Sequence, residues 1–244
     1  MLDASFAIYR SRFAALLVIA VVCRVIPILL AVYFEVSETT DLQIWLRLGA
    51  SLISLVLVAI GVAASTFVVS DAYLGRETTA QSALARAMPR IWNLIGVSIL
   101  TSLAVFVGFF LLIVPAFIFL AGFLLSPVVA VIEATPRSRD AMRRSWQLSS
   151  GYKGKLLLTM LVAFLLLLVP GITLGAVGGI AAGVSADQPV GLAFFVISLV
   201  LQVFVYPFVY VVQTVLYYDL RVRKEGFDLE LLAAAMPASE PGMA

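Results

Sequence analysis

Arg24 stands inside an apolar run, about 12 residues and so roughly 18 Å along a helix beyond Arg12, at a depth where a charge in hydrocarbon is costly. A guanidinium so placed either binds an anion in a solute pathway or is satisfied internally. Pro27 removes the hydrogen bond that would engage the carbonyl of Cys23, so that oxygen is one internal partner, and the side chain of Gln202 is another. Snorkelling toward the interface is the remaining outcome.

A second group of charges recurs. Asp71, Glu133 and Asp219 each end an apolar run and are each followed by a base, at Arg76, Arg137 and Arg221. Arg10, Arg90 and Arg144 each precede an apolar run. This spacing allows a ring of ion pairs between the segments at one membrane face, with any of the nine pairings of these bases and acids open. The alternative is a row of solvated headgroup-level charges contributing ~0 to 1 kcal/mol each. Many other chemistries are excluded. The chain has no histidine and its only cysteine is Cys23, so it cannot by itself build a Ser-His-Asp or Cys-His triad, a histidine relay, a His or Cys metal site or an intrachain disulfide. It carries neither a phosphate-loop nor a dinucleotide-binding glycine motif, and no cofactor and no nucleic-acid partner is expected.

The elements that position these charges are membrane spans. Of 244 residues, 63% are hydrophobic and 12% charged, with a mean hydropathy of +1.11. Runs of about 20 apolar residues match a hydrocarbon core roughly 30 Å thick. The sequence predicts an all-α membrane bundle of six spans: Phe13 to Phe34, Leu48 to Ser70, Leu94 to Val114, Pro115 to Ile132, Leu156 to about Ala181, and Val190 to Tyr218. The third and fourth are expected to join at Val114-Pro115, where proline suits a first helical turn. Pro170-Gly171 either kinks the fifth or leaves Ile172 to Val184 as a re-entrant piece. Pro127 and Pro207 are expected to kink the returning spans. The apolar run that follows Arg10 and Arg12 exceeds a secretory h-region and is read as a retained anchor.

Basic residues cluster around Arg10 and Arg12, from Arg76 to Arg90, from Arg137 to Lys155, and from Arg221 to Lys224. The opposite connections are expected to hold Glu35, Glu38, Asp41 and Asp187 without a base, which places both termini in the cytoplasm of a multi-pass inner-membrane protein.

Ala87-Met88-Pro89-Arg90-Ile91-Trp92-Asn93-Leu94 aligns with Ala141-Met142-Arg143-Arg144-Ser145-Trp146-Gln147-Leu148, and Ala7-Ile8-Tyr9-Arg10 is a weaker copy. Three modules follow, at about 1–75, 76–136 and 137–226, each an amphipathic cytoplasmic segment and a two-helix hairpin within one membrane domain. A short cytoplasmic tail, 227–244, completes the chain. Gly171, Gly175, Gly179 and Gly183 share one helical face, suited to close packing inside the bundle or to a homo-oligomer seam.

The string Leu216-Tyr217-Tyr218-Asp219-Leu220-Arg221-Val222-Arg223-Lys224-Glu225-Gly226-Phe227-Asp228-Leu229-Glu230 resembles the C-terminal signature of the glycerophosphoryl diester phosphodiesterase membrane-domain family. Arg143-Arg144-Ser145-Trp146-Gln147-Leu148, and Pro127-Val128-Val129 before Glu133, are also similar to it. The resemblance implies a membrane domain that in some members precedes a separate catalytic barrel. About 24 residues follow the last expected span, against roughly 250 for such a barrel, so the resemblance extends to fold and location and not to catalysis.

The expected function is therefore that of a non-catalytic scaffold or regulatory partner. Its cytoplasmic face, including Ser82 to Trp92, Arg137 to Lys155 and the tail from Arg221, would meet anionic lipid headgroups or a soluble or membrane protein. A small-solute or lipid transporter using Arg24 is the alternative. An intramembrane enzyme is the third reading, with Asp71 and Glu133 as the acids available to it.

Overall fold

The computed structural model describes residues 2–36, 41–163, 165 and 188–235. Among these residues all the regular secondary structure is helical. Helices α1 (Leu2–Ser11), α2 (Phe13–Val36), α3 (Asp41–Tyr73) and α4 (Ala80–Ala87) are followed by a 3-10 turn at Met88–Arg90. Next come α5 (Ile91–Leu111), α6 (Ile113–Phe123), α7 (Ser126–Ile132) and α8 (Ser138–Ser149). Helix α9 runs over 153–163, and α10 (Gln188–Glu225) and α11 (Phe227–Ala235) close the described chain.

Five segments are long and apolar enough to cross a membrane: Phe13–Phe34, Asp41–Tyr73, Ala80–Leu111, Val114–Ile132 and Leu199–Glu225. The expected fifth span, Leu156 to Ala181, lies largely outside the described residues, as do Ile172 to Val184 and Gly171, Gly175, Gly179 and Gly183. Helix α3, at 33 residues, is about 50 Å long, and α10, at 38 residues, about 57 Å. Both exceed a hydrocarbon core of roughly 30 Å, so each must tilt or project beyond it.

The hairpin between α5 and α6 turns at Leu112, whose extended backbone (φ 175°, ψ 160°) breaks the helix two residues before the expected Val114-Pro115 junction. Pro115 sits inside the first turn of α6, where a missing N–H costs nothing. The returning span is also split: α6 ends at Phe123, and α7 starts at Ser126 with Pro127 in its first turn. Pro27 and Pro207 lie within α2 and α10.

The core occupies one half of the bundle. In α3 the buried residues run from Ala59 to Asp71, leaving Leu42, Trp45, Leu52 and Ile53 exposed in the other half. Leu16, Ile19 and Cys23 of α2, Val128, Val129 and Val131 of α7, and Val211, Val212, Val215 and Leu216 of α10 meet those α3 residues. Small residues allow the approach: a Cβ on Gly61 would stand 3.2 Å from the Cβ of Cys23. Phe106, Phe109, Phe110, Leu111 and Leu112 at the α5–α6 turn are exposed, as lipid-facing side chains would be.

Candidate functional site

The polar side chains converge on the end of the bundle that holds the core. Glu133, where α7 ends, accepts hydrogen bonds from Nε of Arg144 at 3.0 Å to each carboxylate oxygen and from the Tyr217 hydroxyl at 3.0 Å. Arg144 projects from α8 and also grips Glu225 at the end of α10, with Nη2 to Oε2 at 2.8 Å and Nη1 to Oε1 at 2.5 Å. One guanidinium thus ties α7, α8 and α10 through two carboxylates. The hydrogen bond to Glu225, opposed by burial and aided by Glu133, pushes the pKa of Arg144 up, so its charge is held. Arg221 completes the group, donating to Glu225 at 3.1 Å and to Glu230 at 3.4 Å while lying 4.1 Å over the Phe227 ring. Gly226, at φ +64°, makes the turn that lets α11 fold back here.

Helix α8 is held from below as well. Ser145 and Ser149 donate to the carbonyl of Gly122 at 2.8 and 3.3 Å. Trp146 packs against that glycine and against Phe119 and Phe123, with the Lys153 ammonium 3.2 Å over the indole. Lys224 donates to the carbonyl of Gln147 at 2.8 Å. The segments 143–148 and 216–230 are therefore in direct contact, through Arg144 with Glu225 and Lys224 with Gln147.

The other acids take partners different from those expected. Asp71, nearly buried, is paired with Arg86 of α4 at 2.6 Å and accepts from Thr78, whereas Arg90 stands one turn further on. Asp219 pairs with Lys155 at 3.0 Å and with Arg223 at 2.9 Å. Among the described residues no ion pair reaches Arg10 or Arg90, and Nε of Arg90 is buried without a hydrogen-bond partner. The structure thus joins Arg144 to Glu133, and it does not join Arg10 or Arg90 to any of the three acids. Around these pairs, Tyr218 shares a 2.6 Å hydrogen bond with Ser70 and stacks on Tyr73 at 4.4 Å.

Arg24 faces tyrosines. Its Nη2 donates to the Tyr210 hydroxyl at 3.3 Å, and its guanidinium carbon lies 3.9 Å over the Tyr206 ring. The adjoining cavity, bounded by Cys23, Gly61, Ser65, Pro207 and the two tyrosines, has a volume of about 10 Å³. A cation–π contact and a hydrogen bond stabilise the charge without an anion. Tyr206 and Tyr210 went unanticipated in sequence, although their spacing of four puts both on the α10 face that α2 meets.

The expected absence of bases on the far side fails at Arg47, in the exposed half of α3, which donates to the carbonyl of Phe34 at 2.7 Å. Arg86, Lys155 and Glu225 were also missed; only Glu225 had a local signal, its four-residue spacing from Arg221.

Fold and site together define a protein whose regular structure among the described residues is helical, with apolar helices suited to a membrane and polar groups gathered at one end of the bundle. No family model, curated protein or solved structure matches the chain.

Proposed function

We propose that this chain is a non-catalytic multi-pass protein of a bacterial-type inner membrane that scaffolds or regulates a partner from its cytoplasmic face. The observation that carries this reading is the closure around Arg24. A 10 Å³ cavity holds about one water, too little for a solute, and the charge is already satisfied by Tyr206 and Tyr210.

Six spans, three modules and cytoplasmic termini belong to the same proposal. Support comes from the short helix α1, which precedes the apolar segment Phe13–Phe34, and from α4, which opens the segment Ala80–Leu111; α8 precedes the apolar run that begins at Leu156 in the sequence. It comes also from Ala87 with Ala141, and Leu94 with Leu148, which are buried at aligned positions. The pairs Asp71 with Arg86 and Glu133 with Arg144 each link the end of one proposed module to the opening helix of the next. Membership of the glycerophosphoryl diester phosphodiesterase membrane-domain family is proposed on the three resembling strings, two of which, 143–148 and 216–230, are in contact.

The proposed working surface includes the outward face of α8, where Arg143 and Gln147 are exposed. A photo-crosslinking residue at either position in the native membrane is expected to yield a discrete protein adduct. Adducts with lipid alone, or none, at both positions would overturn the scaffold reading.

A further inference from the structure

A cleft of about 620 Å³ opens between α5 and the start of α8, lined by Trp92, Asn93, Leu100, Pro136, Arg137, Ser138 and Arg139. We propose that it holds the phosphate headgroup of an anionic phospholipid, with the first part of an acyl chain lying along α5. This deepens the proposed function and rests on its membrane placement.

The cleft is polar at one end and apolar at the other. Arg137 and Arg139 are exposed, and among the described residues neither guanidinium has an ion-pair or hydrogen-bond partner. That contrasts with Arg144 and Arg221, whose donors are taken up by carboxylates. Glu133, the acid nearest in sequence before them, is engaged by Arg144 and Tyr217, and Asp140 lies outside the lining. A phosphate complements two free guanidiniums, which bind its oxygens through charge-assisted, often bidentate hydrogen bonds.

Depth fits the same ligand. Trp92 is 79% exposed at the rim, and an indole so placed is at home at headgroup level. Leu100 lies eight residues further along α5, about 12 Å deeper, where acyl carbons begin. The floor is fixed. Ser138 donates to the carbonyl and the side-chain oxygen of Asn93 at 3.1 and 2.9 Å, and Asn93 donates to the carbonyl of Thr135 at 2.6 Å. A side chain at Gly96 would collide with Ser138, so that glycine lets α8 start against α5. The two arginines are therefore held over the cleft by a connection that is already hydrogen-bonded.

The test uses the full chain purified in a neutral detergent and titrated with dioleoyl phosphatidylglycerol, with bound lipid counted by native mass spectrometry. Wild type should retain phosphatidylglycerol in preference to phosphatidylcholine. The Arg137→Gln/Arg139→Gln variant should lose at least about tenfold in affinity for it. The Arg10→Gln/Arg76→Gln variant, which removes the same charge outside the cleft and α8, should keep the wild-type value, and circular dichroism should show equal helicity in all three. Equal retention by both double variants, or displacement of the lipid by millimolar inorganic phosphate alone, would overturn the cleft assignment while leaving the scaffold reading standing. A chain released from its membrane by alkaline extraction would overturn both.

Discussion

Gly122 and Arg144 show how closely single residues are specified at the end of the bundle. A Cβ on Gly122 would overlap the Trp146 indole, which Phe119 and Phe123 already confine, so Gly122→Ala should lower stability by about 2 kcal/mol. Gly154, also helical, has open space where its Cβ would go, and Gly154→Ala should be neutral or stabilising by up to about 1 kcal/mol. Thermal unfolding of the two variants in nanodiscs compares them; equal losses would mean that the α6–α8 contact is wrongly described. Arg144 is the cation between two carboxylates, and Arg144→Gln leaves Glu133 and Glu225 close together without it. Because these side chains are between a fifth and a third exposed, the expected loss is about 2 kcal/mol, below that of a fully buried pair. A Glu133→Gln/Arg144→Gln cycle should show coupling above roughly 0.5 kcal/mol, and coupling within error would remove the pair from the account. Glu133 and Arg144 were legible in sequence because each recurs at a span boundary. Glu225 and Tyr217 were not, since their role depends on α10 lying against α7 and α8.

Helix ends explain where the repeat departs from symmetry. The aligned segments predict that Arg90 behaves as Arg144 does, but Pro89 replaces the residue aligned with Arg143, and α4 stops at Ala87 in a 3-10 turn while α8 runs on to Ser149. The change of pitch turns Arg90 away and leaves Arg86, one turn earlier, facing Asp71. Trp92 is exposed for the same reason, while its counterpart Trp146 is packed. An Asp71/Arg86 double-mutant cycle should therefore couple by more than roughly 0.5 kcal/mol, and an Asp71/Arg90 cycle should not; the reverse order would restore the simple repeat. Span positions were readable from hydropathy, and the first coincides with the sequence reading at Phe13–Phe34. Span ends were less so: the Phe123–Ser126 break falls beside Pro127, which the sequence expects to kink that span, whereas the turn at Leu112 lies in a run that is apolar throughout, where composition gives no local signal.

At the scale of the whole molecule, the proposed placement puts the polar, well-packed half of the bundle at the cytoplasmic face and the exposed apolar half in lipid. Reporter fusions at Glu38, Gly151 and Glu240 should report outside, inside and inside, and an external Gly151 would reverse the assignment. The resemblance to a phosphodiesterase-associated domain carries no activity with it. The purified chain is expected not to hydrolyse glycerophosphodiesters with or without divalent metal, and turnover abolished by Asp71→Asn or Glu133→Gln would contradict that. The central claim is that the bundle is closed at Arg24 and works from its surface. Its most direct test is thiol accessibility of Ser65→Cys in a Cys23→Ala background, because Ser65 lines the small cavity beside Arg24. In proteoliposomes, a membrane-impermeant methanethiosulfonate reagent should leave this cysteine unmodified while fully modifying a control cysteine at exposed Arg143. Modification of both at comparable rates would mean that water reaches Arg24, and the closed-bundle account would fail.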